Sequence, residues 1–373
     1  MSSNIVELNG GLDQRLGNGG VTLGRRRPDP HSETRNILHL AEARGATDVH
    51  LVAGAPVLFR IEGELVPVTR HVLLADQAKR LAYSLLTEEQ ACRFEADLDF
   101  DFMLASPQGR RYRVNISMNH GAVGAVVRLL PRDPIPLERI RLPRIVHRLQ
   151  RARKGLVLIT GSTSQGKTTT LASILDGINS SQRKHIVTIE DPIEYLHVNK
   201  SSIIRQREVG RDTKSFAHGL RAALRQDCDV IAIGEMRDFD TIKIALTAAE
   251  TGVLVFSTLH IMSIDKIIER LLAYAPEGYE GQVRTQLAEA LLCVIHQELL
   301  PTVSGGKRVA CEVLVATEAV RNLIRNRGTY YLRSAITTGQ RYGMQTMRSS
   351  LDQLREEGEI SDSLYRVVAE NYR

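Results

Sequence analysis

One octapeptide, residues 161–168, limits the possible folds of this 373-residue chain more than any other feature. It is GSTSQGKT, which fits the phosphate-loop pattern of Gly, four residues, Gly, Lys and then Ser or Thr. An apolar run over 156–160 precedes it, and a helical pattern of apolar residues follows it. The N–H groups of such a loop and the positive end of the following helix dipole together form a phosphate cradle. The octapeptide therefore predicts a parallel α/β domain that binds a phosphorylated ligand.

The sequence beyond residue 145 supports this fold class, because short β-branched runs alternate there with amphipathic helical patterns. This alternation predicts β-α-β units in an open parallel sheet with helices on both faces. The runs lie at 156–160, 186–189, 230–233 and 253–257. This domain is predicted to span 145–373. Its C-terminal part is predicted to be mostly helical, over 280–300 and again from about 317 to the end.

The sequence before residue 145 divides into three predicted segments. Residues 1–32, rich in glycine, are predicted to be a flexible tail. In 33–131, strand and helix patterns predict a small α+β domain with an antiparallel sheet. We expect its helices to begin after Ser32 and to span 76–86 and 88–97, and its strands to span 57–61, 65–68, 99–104, 111–118 and 122–130. The proline-rich residues 132–144 predict an interdomain linker without regular structure.

The composition excludes several classes of protein. With 43% hydrophobic and 25% charged residues, the chain is neither a disulfide miniprotein nor collagen-like nor mostly disordered. The absence of Trp and the 5% aromatic content argue against a stacking platform for single-stranded nucleic acid, and the net charge of +6 is too small for this length to indicate an anionic partner. Four dispersed cysteines and the lack of a signal-peptide pattern or an apolar run of about 20 residues predict a cytoplasmic protein. Any membrane association is expected to be indirect.

Acidic residues follow two of the apolar runs, where the carboxyl ends of parallel strands form a ligand-binding edge. Glu235 ends one run, and another is followed by Glu190, Asp191 and Glu194. These three carboxylates repel one another unless a cation is near, so Mg²⁺ explains them better than a surface loop does. For Glu235 the alternative is a helix-capping acid. His260 follows a third run and is a candidate γ-phosphate sensor, although a lone histidine is usually structural.

Several strings, once placed beside the phosphate loop, resemble the type IV pilus retraction ATPases, the PilT-type branch of the type II secretion and pilus ATPases. TIEDPIEY (188–195), LRQDCDVIAIGEMRD (224–238) and TGVLVFSTLH (251–260) resemble its Asp, Walker B and His boxes. GATDVHL (45–51) and RYRVN (111–115) resemble its N-terminal domain. AVRNLIRN (319–326) and SAITTGQRYGMQT (334–346) resemble the retraction branch in particular. No four-cysteine zinc insert, common in assembly-type relatives, is visible.

The resemblance implies a PAS-like N-terminal α+β domain, then a RecA-like P-loop ATPase domain with a helical C-terminal part. It implies ATP and Mg²⁺ as ligands, a homo-hexamer, an inner-membrane platform protein and possibly a paralogous motor as partners, and a place at the inner-membrane base of the pilus. Nucleotide is expected at Gly161, Ser162, Thr163, Ser164, Gln165, Gly166, Lys167, Thr168 and Thr169. Mg²⁺ is expected at Thr168, Glu190, Asp191 and Glu235.

The resemblance also implies catalytic roles. Glu194 is the expected general base, Glu235 supports the metal or the water network, and His260 senses the γ-phosphate. Arg113 and Arg128 match arginines that reach the nucleotide and stabilise transition-state charge. From the residues alone, the solvated face of a sheet is the favoured interpretation of these two arginines.

The phosphate loop departs from the usual GPTGSGK[ST], since Ser162, Ser164 and Gln165 replace Pro, Gly and Ser. A positive φ at Ser164 would cost about 1–2 kcal/mol. Three further interpretations therefore stand beside the retraction motor: an accessory nucleotide-binding subunit with little hydrolysis, an assembly or type II secretion ATPase, and a RecA-like nucleic-acid translocase. The last is disfavoured because the sequence has no basic-aromatic stripe and its N-terminal part resembles a PAS-like domain.

Overall fold

The computed structural model describes residues 30–106 and 109–372, which form two compact units divided between Arg132 and Asp133. Nearly all of the tail predicted over 1–32 lies outside the described residues. Within them, no helix is long and apolar enough to cross a membrane.

The first unit is a six-stranded antiparallel sheet with strand order β3-β2-β1-β6-β5-β4. Strands β5 and β6 place alternate side chains in a core shared with the helices, and the side chains between them lie on the other face. The elements are α1 (Pro30–Ala43), β1 (Asp48–Leu51), β2 (Leu58–Ile61), β3 (Glu64–Pro67), α2 (Ala75–Tyr83), α3 (Glu88–Asp97), β4 (Asp99–Ala105), β5 (Arg111–Asn119) and β6 (Ala122–Leu129).

Two sequence-based expectations for this unit differ from the structure. The first helix begins at Pro30 rather than after Ser32, since proline suits the first turn of a helix. Strand β1 has no counterpart in the strand pattern, because three of its four residues are buried and they do not alternate with exposed ones. It nevertheless joins β2 to β6 at the centre of the sheet.

The proline-rich stretch is not devoid of regular structure, and that prediction is wrong. Helix α4 (Leu137–Ile140) forms one turn there, and α5 (Arg144–Leu149) follows directly after Pro143. Leu137 and Leu142 are buried in the core of the second unit. The prolines delimit these turns, since a proline fits the position just before or at a helix start, while the leucines between them anchor the stretch.

The second unit is a seven-stranded sheet with strand order β13-β12-β7-β11-β10-β8-β9. Its pairs are parallel except for the β12–β13 hairpin. Two apolar clusters form its core. The elements are β7 (Gly155–Thr160), α6 (Lys167–Ser181), β8 (His185–Glu190), β9 (Ile203–Glu208), α7 (Phe216–Ala223), β10 (Val230–Glu235), α8 (Phe239–Glu250), β11 (Leu254–Leu259), α9 (Ile264–Leu272), α10 (Glu280–Ala290), β12 (Leu291–Pro301), β13 (Lys307–Val315), α11 (Glu318–Arg325), α12 (Leu332–Thr338), α13 (Met347–Glu356) and α14 (Asp362–Glu370).

The helix predicted over 280–300 is wrong in its second half. Helix α10 ends at Ala290, and the apolar run that follows is strand β12. Periodicity alone cannot distinguish a buried strand from a buried helix in such a run. Pairing on both edges decides the outcome, with β7 on one side and β13, which was also missed, on the other. This strand places residues 296–299 beside the phosphate loop.

Candidate nucleotide-binding site

The loop between β7 and α6 has the backbone of a phosphate cradle. Gly161 has φ +146°, and a Cβ there would lie 2.5 Å from the Gln297 carbonyl oxygen, so only glycine fits against β12. Gly166, with φ +78°, is the N-cap of α6. Ser164 has φ +64°, the left-handed conformation that is costly for serine. The loop therefore keeps a glycine-type backbone despite the substitution.

Lys167 is buried, with 6% of its surface exposed, and its ammonium lies within the loop. Its Nζ donates to the carbonyl oxygens of Gly161 (2.9 Å) and Ser162 (2.6 Å) and lies 3.3 Å from Nδ1 of His260. Burial lowers the pKa of Lys167, while the charges of Glu235 and Glu194 raise it. The cation is thus poised where an anionic ligand would replace carbonyl partners, with two carboxylates within electrostatic range.

Glu235 and His260 lie together at the carboxyl edge of the sheet, at the end of β10 and just after β11. Glu235 Oε1 pairs with Arg237 Nη2 at 2.6 Å, and its Oε2 lies 3.9 Å from His260 Nε2. Burial, followed by the charge of Lys167, lowers the pKa of His260, and Glu235 opposes this shift. The imidazole is therefore biased toward the neutral form, which can accept or donate a hydrogen bond as a ligand requires.

The three carboxylates that follow β8 do not form one cluster. Glu194, half-buried, is the one whose charge acts on Lys167, and the neighbouring Tyr195 hydroxyl bonds Thr169 Oγ1 at 2.8 Å. Glu190 Oε1 instead accepts hydrogen bonds from the Thr188 hydroxyl (2.6 Å) and from Gln206 Nε2 (3.1 Å). Asp191 is exposed.

The remaining loop residues differ in exposure. Thr163 and Ser164 are exposed. The other five are half-buried: Ser162, Gln165, Gly166, Thr168 and Thr169. Thr168 is the second residue of α6 and Thr169 the third, so their hydroxyls lie in the first turn of the helix.

The oxygen atoms of Thr168, Glu235 and Glu190 differ in how well they suit Mg²⁺. Among the described residues, no three His, Cys, Asp or Glu side chains converge on one point. Mg²⁺ in nucleotide sites usually takes one or two protein oxygens, with water and phosphate oxygens as its other ligands. The hydroxyl of Thr168 and the carboxylate of Glu235 fit that requirement, whereas one oxygen of Glu190 is already engaged at the sheet edge.

Arg113 and Arg128 lie on the first unit and face each other across the β5–β6 pair. Arg113 Nη2 contacts Asp101 at 3.2 Å, and Arg128 Nε contacts Asp48 at 2.8 Å. Both side chains are about half exposed, at 41% and 57%. The guanidinium groups are therefore held on the polar face of the sheet by carboxylates of neighbouring strands and remain accessible.

Sequence reasoning missed the part of the site that β12 contributes. Gln297 Nε2 donates to the Gln165 carbonyl at 2.7 Å, and Leu299 N–H donates to Gln165 Oε1 at 2.5 Å. His296 Nδ1 lies 3.1 Å from the hydroxyl of Thr160, the residue just before the loop. No motif marks these residues, and the helix predicted there would not have aligned them with β7.

The chain is similar to known proteins over most of its length. A family model described as type II/IV secretion system protein matches residues 32–371. The chain is 42% identical over 325 residues to the type IV pilus retraction ATPase PilT of Pseudomonas aeruginosa, covering 87% of this chain and 94% of that protein. It is 41% identical to a twitching motility protein of Neisseria gonorrhoeae, with 86% of each chain covered.

Solved structures give the same result for the fold. The pilus retraction motor PilT with bound ADP matches with a TM-score of 0.78 at 41% identity, covering 88% of this chain and 95% of that one. The Legionella pneumophila ATPase DotB matches with a TM-score of 0.82 at 28% identity, covering 94% and 98%. The predicted fold class, a small α+β domain followed by an α/β P-loop ATPase domain, is confirmed. The chain belongs to the type II/IV secretion system protein family.

Proposed function

We propose that the protein is an ATP-hydrolysing motor that powers the retraction of type IV pili, converting ATP and water to ADP and phosphate. The observation that carries the proposal is the buried Lys167 ammonium, held in a glycine-type phosphate loop with Glu194 and Glu235 within electrostatic range. The similarity to retraction ATPases over most of the chain supports retraction as the work done.

Lys167, Glu194 and His260 each have a separate role in the proposed reaction. Lys167 and the N–H groups of the loop bind the phosphates, which draws the ammonium away from the carbonyls of Gly161 and Ser162. Glu194 accepts the proton of the attacking water, and His260 hydrogen-bonds the γ-phosphate. The hydroxyl of Thr168 and the carboxylate of Glu235 would hold Mg²⁺, with Glu190 and Asp191 at the end of β8 as further oxygen donors, and the ion would supply positive charge against the phosphate oxygens.

The assembly and the location of the motor belong to the same proposal. Six copies form a ring, in which Arg113 and Arg128 reach the nucleotide and stabilise transition-state charge. Both side chains are about half exposed although each is paired with a carboxylate, so their guanidinium groups are accessible to a second copy. The ring acts in the cytoplasm at the inner-membrane base of the pilus, on a platform protein, and binds the membrane only indirectly.

The proposal is tested by steady-state phosphate release from the purified protein, with Lys167→Ala and Glu194→Gln as comparison variants. Loss of the general base is expected to lower turnover by roughly 100-fold or more. Wild-type turnover equal to that of both variants would refute hydrolysis. Deletion of the gene is expected to leave extended pili that no longer shorten, and unchanged pilus dynamics would refute the retraction role.

A second candidate function is an accessory nucleotide-binding subunit with little hydrolysis of its own. The observation that favours it is the strained Ser164 at a position normally held by glycine. Nucleotide binding without turnover above the level of Lys167→Ala would select this function.

A further inference from the structure

Strand β12 contacts both ends of the phosphate loop. At the start of the loop, the Gly161 backbone lies so close to the Gln297 carbonyl that no side chain fits between them. At the end of the loop, the carbonyl and side chain of Gln165 are bonded by Gln297 Nε2 and Leu299 N–H. The conformation of the loop therefore depends on where residues 297–299 are held.

The same stretch of β12 is bonded to the C-terminal end of the chain. Tyr372, just beyond α14, donates its hydroxyl proton to Glu298 Oε1 at 2.6 Å. Its oxygen lies 3.3 Å from His296 Nε2, and Nδ1 of the same ring lies 3.1 Å from the hydroxyl of Thr160. Both His296 and Thr160 are almost fully buried, with 2% and 0% of their surface exposed.

Thr160, His296, Tyr372 and Glu298 form a series of hydrogen bonds, and counting the available protons gives the direction of each bond. Because the Tyr372 proton goes to Glu298, the phenol oxygen can only accept from His296, so Nε2 carries a hydrogen. Burial lowers the pKa of His296 to about 4, so the ring is neutral at pH 7 and Nδ1 is bare. Nδ1 therefore accepts a hydrogen bond from the Thr160 hydroxyl. The series of hydrogen bonds leads from Thr160 through His296 and Tyr372 to Glu298.

Tyr372 is held in place by the packing of the C-terminal helices on the β12–β13 hairpin. It packs against a separate apolar cluster that includes Leu300 of β12 and Tyr365 of α14. Tyr365 makes a comparable hydrogen bond, from its hydroxyl to Asp352, which is not connected to the loop. Helix α14 and the residues just beyond it thus provide two tyrosine–carboxylate bonds, of which only that of Tyr372 leads to the phosphate loop.

We propose that Tyr372 is a positioning residue for nucleotide binding, which buttresses β12 through His296 and Glu298 and so holds the phosphate loop in its binding conformation. The inference rests on the proposed function for the identity of the ligand. The apparent affinity for a ligand is the intrinsic affinity multiplied by the fraction of molecules whose loop is in the binding conformation, so a smaller fraction means weaker binding. A partner that displaces the C-terminus would therefore weaken nucleotide binding without touching the nucleotide.

The test compares Tyr372→Phe with the matched control Tyr365→Phe, together with Thr160→Val and the double variant Thr160→Val/Tyr372→Phe. Hydrogen exchange of the nucleotide-free proteins is measured at the amides of 161–167 and of Leu299, and the affinity for ADP is measured by calorimetry. We expect Tyr372→Phe to speed exchange at these amides and to weaken ADP binding by roughly 3- to 10-fold, the value of one hydrogen bond. Tyr365→Phe should leave both within two-fold of wild type.

The double variant separates positioning from a general loss of stability. Thr160 and Tyr372 act through the same series of hydrogen bonds. The effect of the double variant on amide exchange and ADP affinity should therefore not appreciably exceed the larger of the two single effects. Equal changes in Tyr372→Phe and Tyr365→Phe, or effects of Thr160→Val and Tyr372→Phe that multiply, would overturn the inference. Hydrogen exchange needs no nucleotide, so absence of ADP binding by the wild type would count against the proposed function alone.

Discussion

Ser164 holds the phosphate loop in a conformation that glycine adopts at lower cost, so Ser164→Gly is expected to stabilise the second unit. A left-handed backbone costs a residue with a Cβ about 1–2 kcal/mol, and Ser164 has φ +64°. Glycine removes that cost but adds about 0.4–1 kcal/mol of conformational entropy to the unfolded chain. The net gain is about 0.8 kcal/mol, which corresponds to a rise in Tm of about 2–3 °C for a unit of this size.

The assay is thermal unfolding of the nucleotide-free protein by calorimetry, with Ser164→Ala as the matched control. Alanine also removes the hydroxyl but keeps the Cβ, so its Tm is expected to stay within about 1 °C of wild type. Ser164 is exposed, so neither change opens a cavity. A lower Tm for Ser164→Gly, or an equal rise for both variants, would refute the argument that backbone strain is stored at this position.

Three further predictions follow from contacts around the loop. Gln165→Ala removes the acceptor of the Leu299 N–H and should lower the free energy of unfolding by about 1 kcal/mol in urea titrations; no change would show that water replaces the bond. Because the pKa of His296 falls to about 4 on folding, the unfolded state binds more protons between pH 4 and 6.5, and stability must decrease as the pH falls through that window. The wild type should lose about 2 kcal/mol more than His296→Gln between pH 8 and pH 5, measured by urea unfolding at each pH; parallel pH profiles would contradict a buried neutral ring. Glu235→Gln removes the carboxylate that opposes the lowering of the His260 pKa, so NMR titration should show His260 titrating at lower pH in the variant; an unchanged or higher pKa would contradict this contact.

The phosphate loop and its strand could be predicted from the sequence because the chemistry of the loop is local. Glycines, the lysine and the two flanking apolar patterns lie within a short stretch, and the structure places Lys167 and Gly166 where that stretch implies. The position of the acidic residues at the carboxyl edge of the sheet could be predicted because parallel strands share that edge. Their separate roles could not, since the hydrogen bond that Glu190 accepts from Gln206 depends on the neighbouring strand β9, which the pattern did not reveal.

The contribution of β12 could not be predicted because it is decided by tertiary pairing. The run 291–301 has the length and apolarity of either a helix or a strand, and only its pairing with β7 and β13 selects the strand. The contacts of Gln297 and Leu299 with Gln165, and of Tyr372 with His296, join residues far apart in the chain. The prolines of 132–144 likewise predicted an irregular linker, although Leu137 and Leu142 of that stretch pack into the core.

The central claim is that the loop over 161–168 binds a nucleotide through Lys167, and calorimetric titration with Mg·ADP tests it most directly. The wild type should bind one nucleotide per chain with measurable heat, and Lys167→Ala should bind roughly 10- to 100-fold more weakly, because a charged hydrogen bond to phosphate is lost. No heat from the folded wild type, or equal affinities for the two proteins, would contradict the account.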